Sequence, residues 1–129
     1  MEENAAVGQD IRVVRWDRES PPVEEELYAR MEAEGYVPYL RAEPPGTKKP
    51  LHRHPFPEIT WVLSGWMRYS FPLGEGAEPS PVMLKAGDRI DLPADLPHET
   101  AVEGAAYAVY LTASPFALPV VSPPPGVNI

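Results

Sequence analysis

Three histidines and one glutamate are the residues of this 129-residue chain whose types and spacing best suit chemistry. His52 and His54 are separated by one residue, so on a strand both project from the same face. Glu58 follows a rigid connector with two prolines, and His98 lies much later in the chain. Three imidazoles and one carboxylate suit divalent Fe, Mn, Ni, Co, Zn or Cu better than Ca²⁺ or Mg²⁺. The set therefore predicts one divalent transition metal, although a lone histidine on a strand is more often a surface or core residue.

Two spaced motifs frame these four residues. They read Gly46-x5-His52-x-His54-x3-Glu58-x6-Gly65 and Gly87-x5-Pro93-x-Asp95-x2-His98. On these motifs the sequence resembles the cupin family across residues 36–113. The first motif matches the family pattern at every fixed position. The second departs from it at Asp95, where the family has glycine, and at Val102, where the family has asparagine.

The resemblance implies an all-β fold, the double-stranded β-helix or jelly-roll cupin barrel, open at one end. It also implies that His52, His54, Glu58 and His98 converge inside the barrel on one metal ion, and that the protein forms a homodimer. Four polar groups aimed into an apolar barrel are each costly without a partner, and one ion would satisfy all of them. Two alternatives stay open: histidines that donate hydrogen bonds to an organic ligand, and a metal with a purely structural role.

Alternation along the predicted strands indicates which side chains face the interior beside the ion. Every second residue of a strand points to the same side. The predicted pocket residues are Thr60, Val62, Met67, Tyr69, Phe71, Ile90, Leu92 and Thr100. Such a pocket is mostly apolar with a few polar tips, as small-molecule sites usually are, although each residue taken singly also fits ordinary core packing. By the same alternation Trp61 and Trp66 face outward, where we expect the helix, the tail or another subunit to cover them.

Two classes of function fit these residues. A metal-dependent enzyme would use open positions on the ion for dioxygenase, isomerase or decarboxylase chemistry on a small organic substrate. In that case Glu58 is the candidate base, and Tyr69 is the candidate hydrogen-bond donor to a substrate oxygen. The alternative is a binding or sensing cupin without catalysis, because one fold and one metal set serve many activities.

The predicted secondary structure that must position the site changes at residue 36. Before it, Ile11–Trp16 is a predicted short strand. A helix of about three turns is predicted next, with Ser20 as N-cap, Pro21 at the first helical position and Gly35 beyond its end. After it, short β-branched and aromatic runs recur between proline and glycine turns, which is typical of a β-sandwich or barrel. The run 63–66 predicts a tight hairpin at Gly65.

Three segments follow from this pattern. Residues 1–35 form an N-terminal arm, whose strand and helix we expect to pack on the barrel, and residues 36–113 form the barrel itself. The proline-rich tail, 114–129, is also apolar, so we expect it to dock on the barrel or on a partner subunit. The region 72–81 predicts an exposed loop.

Composition excludes several classes of protein. The net charge of −8, from 19 acidic and 11 basic residues, argues against binding nucleic acid or an anionic membrane. The chain has no cysteine, which excludes disulfides and thiolate ligands. No signal peptide or long apolar segment is evident, so we expect a cytoplasmic protein. Its 18 prolines beside two Asn and one Gln are thermophile-like.

Overall fold

The computed structural model describes residues 11–72 and 81–113. These residues form nine strands and one helix, α1 (Glu24–Ala33). The strands are β1 (Arg12–Val14), β2 (Tyr39–Glu43), β3 (Lys48–His52), β4 (Glu58–Ser64), β5 (Trp66–Ser70), β6 (Val82–Leu84), β7 (Arg89–Leu92), β8 (His98–Glu103) and β9 (Ala108–Ala113). The predictions for 1–10, for most of the 72–81 loop and for the docking of the 114–129 tail lie outside the described residues. Among the described residues, no helix is long and apolar enough to cross a membrane.

Two antiparallel sheets enclose the core. The larger sheet has the strand order β1-β7-β4-β9-β2, and the smaller has the order β3-β8-β5-β6. Inward-facing side chains of both sheets form one apolar cluster, which includes Val62 and Tyr110 of the larger sheet and Met67, Leu84 and Val102 of the smaller. This confirms the predicted all-β barrel with one short helix.

Helix α1 packs on the outer face of the larger sheet. Leu27 and Met31 are fully buried there against a second cluster that contains Trp61 of β4. Trp61 is only 3% exposed, and its indole Nε1 donates a hydrogen bond to the carbonyl of Gly87. Of the three covers expected for this outward-facing tryptophan, the helix is the one that the described residues show.

The predicted start of the helix is wrong by about one turn. The N-cap is Val23 in an extended conformation, and neither Ser20 nor Pro21 belongs to the helix. A proline pushes the residue before it out of the α region, so Pro22 prevents Pro21 from opening the helix. The end of the helix is as predicted, because Gly35 follows the C-cap with φ +96°.

The turn at Gly65 does not close a hairpin. β4 pairs with β7 and β9, whereas β5 pairs with β6 and β8, so the chain crosses here from one sheet to the other. Gly65 has φ +86°, and a Cβ there would overlap the backbone oxygen of Tyr107. Glycine is required because the corner needs both a left-handed residue and a close approach of two backbones.

A buried aspartate secures the strand that follows the second motif glycine. Asp88 is fully buried, and its carboxylate accepts hydrogen bonds from the backbone N–H groups of Trp16 and Lys85 at 2.9 and 3.1 Å. The guanidinium of Arg15 lies 2.8 Å from the same carboxylate. These contacts join the N-terminal arm to the start of β7, which pairs with β4 along the wall that carries Glu58.

Candidate metal centre

Strand pairing brings the three histidines together. His52 ends β3 and His98 begins β8, and the two residues are direct partners across that antiparallel pair. His54 lies two residues beyond the end of β3, and Glu58 begins β4 in the other sheet. The site therefore lies at one end of the barrel, where these strands of the two sheets begin or end.

The three imidazoles form a compact cluster. The ring centroids of His52 and His98 are 4.4 Å apart, and those of His52 and His54 are 5.0 Å apart. One ring nitrogen from each histidine lies within 4.8 Å of the other two. His98 is buried and the other two rings are half-buried. The cluster is compact enough for all three rings to serve one ion.

Backbone carbonyls fix the tautomer of two rings. The Nδ1 of His52 lies 2.7 Å from the carbonyl of Pro50, and the Nδ1 of His98 lies 2.9 Å from the carbonyl of Leu96. A carbonyl can only accept, so each Nδ1 carries the proton and each Nε2 keeps a free lone pair. Burial holds the pKa of His98 below its usual value, although the Leu96 hydrogen bond opposes this. The His98 ring is thus neutral, as a metal ligand must be.

Glu58 provides the test of whether a metal fits. Its Oε1 is buried and lies 3.0 Å from the Nε2 of His54, yet it accepts no hydrogen bond from the described residues. The two atoms are close but make no hydrogen bond with each other, so both are free to bind an ion placed between them. Neighbouring ligands of one six-coordinate ion, each about 2.1 Å from it, are themselves about 3.0 Å apart. The pair therefore fits a divalent ion between carboxylate and imidazole.

A hydroxyl relay holds the other oxygen of this carboxylate. The hydroxyl of Thr60 donates to the Oε2 of Glu58 at 3.5 Å, and the hydroxyl of Tyr69 donates to Thr60 at 3.1 Å. Burial, and then the charge of Glu58, raise the pKa of Tyr69, so its phenol keeps the proton. The relay orients Glu58 with one oxygen fixed and the other directed at His54.

The second motif keeps its turn despite the departure at Asp95. This residue adopts φ +64°, the left-handed conformation that glycine favours and that aspartate tolerates. Its backbone N–H donates a hydrogen bond to the carbonyl of His54 at 2.6 Å. The turn therefore anchors the backbone of a candidate ligand, while Val102, at the other departure, packs in the core.

A pocket of about 280 Å³ opens beside the cluster. It is lined by all four candidate ligands and by three of the predicted pocket residues, namely Met67, Tyr69 and Thr100. The other five predicted residues, Thr60, Val62, Phe71, Ile90 and Leu92, are buried but are not among the lining residues. Alternation identifies the inner face of a strand, but the deeper part of that face fills the core of a small barrel.

Polar lining residues that were missed from the sequence include Arg41 of β2, Lys49 of β3 and Tyr110 of β9. Arg41 and Tyr110 are cross-strand partners and so share one face. The alternation in β9 was a usable signal for Tyr110, whose pKa is raised by burial and by Glu43. Basic residues on edge strands are ordinarily solvent-facing, so the sequence had no comparable signal for the other two.

The sequence profile of the family described as "Cupin domain" matches residues 40–114. No curated protein matches the chain significantly by sequence.

Solved structures share the fold. DMSP lyase DddQ from Ruegeria pomeroyi DSS-3 is 26% identical over 67% of this chain and 41% of that one, with a TM-score of 0.53. Hydroxypropylphosphonic acid epoxidase from S. wedmorenis is 18% identical over 64% of this chain and 45% of that one, with a TM-score of 0.50. Oxalate decarboxylase OxdC from Bacillus subtilis is 19% identical over 88% of this chain and 27% of that one, with a TM-score of 0.53. The chain spans less than half the length of each of these proteins.

Proposed function

Because the chain belongs to the cupin family, we propose that it binds one divalent transition metal and uses it to act on a small organic molecule in the pocket. The proposed ligands are His52, His54, Glu58 and His98. The observation that carries the proposal is the buried Oε1 of Glu58, which accepts no hydrogen bond from the described part of the chain but lies 3.0 Å from an imidazole nitrogen. A buried carboxylate oxygen without a hydrogen-bond donor is costly, and an ion would satisfy it.

Each residue of the site has a distinct part in this proposal. When bound, the ion would supply Lewis-acid or redox chemistry of the dioxygenase, isomerase or decarboxylase type. Glu58 is the proposed base, since its carboxylate faces the pocket and would leave the ion during turnover. Tyr69 keeps its phenol proton and is the proposed donor to a substrate oxygen, for which its hydroxyl would turn away from Thr60. The likeness to a DMSP lyase supports an enzyme rather than a sensor.

Elemental analysis of protein purified without added metal or chelator tests the proposal. We expect about one equivalent of transition metal per chain. We also expect chelation to lower the melting temperature, because an ion held at a hundred times its Kd stabilises the native state by about 2.7 kcal/mol. Protein without metal, whose melting is insensitive to chelators and to added metal, would contradict the proposal. Turnover in a screen of small organic acids would distinguish an enzyme from a sensing cupin.

We also propose that the protein forms a homodimer through its smaller sheet. Helix α1 covers the outer face of the larger sheet, whereas the smaller sheet carries the exposed apolar side chains of Leu51, Trp66 and Met83. Large exposed apolar side chains on a sheet face that no helix covers support an interface there. We expect Trp66→Glu to shift the sedimentation coefficient from dimer to monomer, and Val23→Glu, an exposed position beside the helix, to leave it unchanged. A monomeric wild-type protein would contradict the proposed dimer.

A further inference from the structure

The wall of the pocket formed by β2, β3 and β9 carries a basic pair that metal binding does not require. Arg41 and Lys49 line the same pocket as the imidazoles. Their side chains are 45% and 37% exposed, so both remain accessible from the opening. Two cations directed into one small pocket are a feature that ordinary core packing does not explain.

A β-bulge places Lys49 in the pocket. Lys49 pairs with Thr100 and His52 pairs with His98, so three steps along β3 match two steps along β8. Without the extra residue, positions 49 and 52 would face opposite sides of the sheet. The bulge turns both inward, and bulges that redirect a side chain are typical of functional sites.

A buried carboxylate behind the pocket wall holds the basic pair in position. Glu43 is 7% exposed, and its Oε2 accepts a hydrogen bond from the hydroxyl of Tyr110 at 2.6 Å. The Nζ of Lys49 lies 2.7 Å from the same oxygen, and a guanidinium nitrogen of Arg41 lies 3.6 Å from it. The ammonium group of Lys49 has three donors and the guanidinium of Arg41 has five, so both retain donors for a ligand. Glu43 is therefore a positioning residue.

The local charge balance favours an anion, although the whole protein is acidic. Arg41 and Lys49 balance the carboxylates of Glu43 and Glu58. A divalent ion at the neutral imidazoles would leave two positive charges unmatched. At about 280 Å³ the pocket is smaller than the roughly 300–1,000 Å³ of sites for drug-sized ligands, so the anion must be small.

We infer that Lys49 and Arg41 form an anion-binding subsite, which selects small carboxylate ligands that reach from this basic pair to the imidazole cluster. The inference rests on the proposed function and names its substrate class. Carboxylates accept hydrogen bonds from both types of cation, and from arginine in a bidentate manner.

Calorimetric titration with malonate, a small dicarboxylate, tests the subsite in zinc-loaded and in metal-free protein. We expect Lys49→Gln and Arg41→Gln each to weaken malonate binding about tenfold or more, because each removes a charge-assisted hydrogen bond. Lys49→Arg, which keeps the charge, should retain most of the affinity. The uncharged analogue malonamide should bind far more weakly than malonate.

Lys48→Gln is the matched control. Lys48 is exposed, carries the same charge one residue away and does not line the pocket. Its replacement should change the affinity for malonate less than twofold, because an exposed charge contributes little to binding. Circular dichroism and zinc content of each variant show that fold and metal site are intact.

The outcomes separate the subsite from the metal proposal. If the protein takes up zinc but Lys49→Gln and Lys48→Gln bind malonate as the wild type does, the subsite is overturned while the metal proposal stands. Equal affinity for malonamide and malonate would overturn it as well. If the protein takes up no metal but binds malonate in a manner that depends on Lys49, the subsite is supported and the metal proposal fails.

Discussion

Replacing His52 and His98 together with alanine is expected to reduce bound metal to the level of a chelator-stripped sample. The two residues face each other across the β3–β8 pair, so the double substitution removes half of the proposed ligand set from one side of the ion. A single imidazole and one carboxylate do not hold a transition metal tightly in competition with water. Metal content by elemental analysis and the melting temperature with and without added zinc are the measurements.

Two exposed neighbours serve as controls for this experiment. Arg53 lies between the first two histidines and Glu99 follows the third, and both side chains are exposed. Arg53→Ala and Glu99→Ala should leave metal content unchanged because they alter the charge beside the site without altering a ligand. Full metal content in the double histidine variant, or its loss in either control, would contradict the proposed ligand set.

Gly65→Ala is expected to produce a large loss of stability. The left-handed conformation costs an alanine about 1–2 kcal/mol, and the overlap of its Cβ with the Tyr107 backbone adds about 1–3 kcal/mol. A loss of this size corresponds to a fall in melting temperature of about 10 °C or more. Thermal unfolding followed by circular dichroism measures it.

Gly46→Ala is the matched control for the corner. Gly46 has nearly the same φ, +84°, but a Cβ there would meet nothing within 4 Å. This variant should therefore show the conformational cost alone. Equal losses in the two variants would show that the close approach at Tyr107 does not constrain the crossing between the sheets.

The candidate ligands could be predicted because their spacing repeats a family pattern and because alternation along a strand is a local rule. His52 and His54 share a side by that rule, and the position of His98 follows from the second motif. The all-β fold followed from short runs between turns. Each of these signals is contained in a few neighbouring residues.

The features that sequence did not predict depend on pairing between distant strands. Lys49 faces the pocket only because of a bulge against β8, and plain alternation from His52 places it outside. The glycine at 65 indicates a turn, but only the partners of β4 and β5 show that the turn joins two sheets. How deep the pocket extends also depends on the whole barrel, which is why Phe71 and Leu92 pack the core instead of lining it.

Anomalous X-ray diffraction at the absorption edge of the bound metal tests the central claim most directly. Crystals of protein purified without added metal should show one strong peak about 2.0–2.3 Å from an imidazole nitrogen of His52, His54 and His98 and from a carboxylate oxygen of Glu58. The absence of a peak at this position, or a peak that the His98 ring does not contact, would contradict the account.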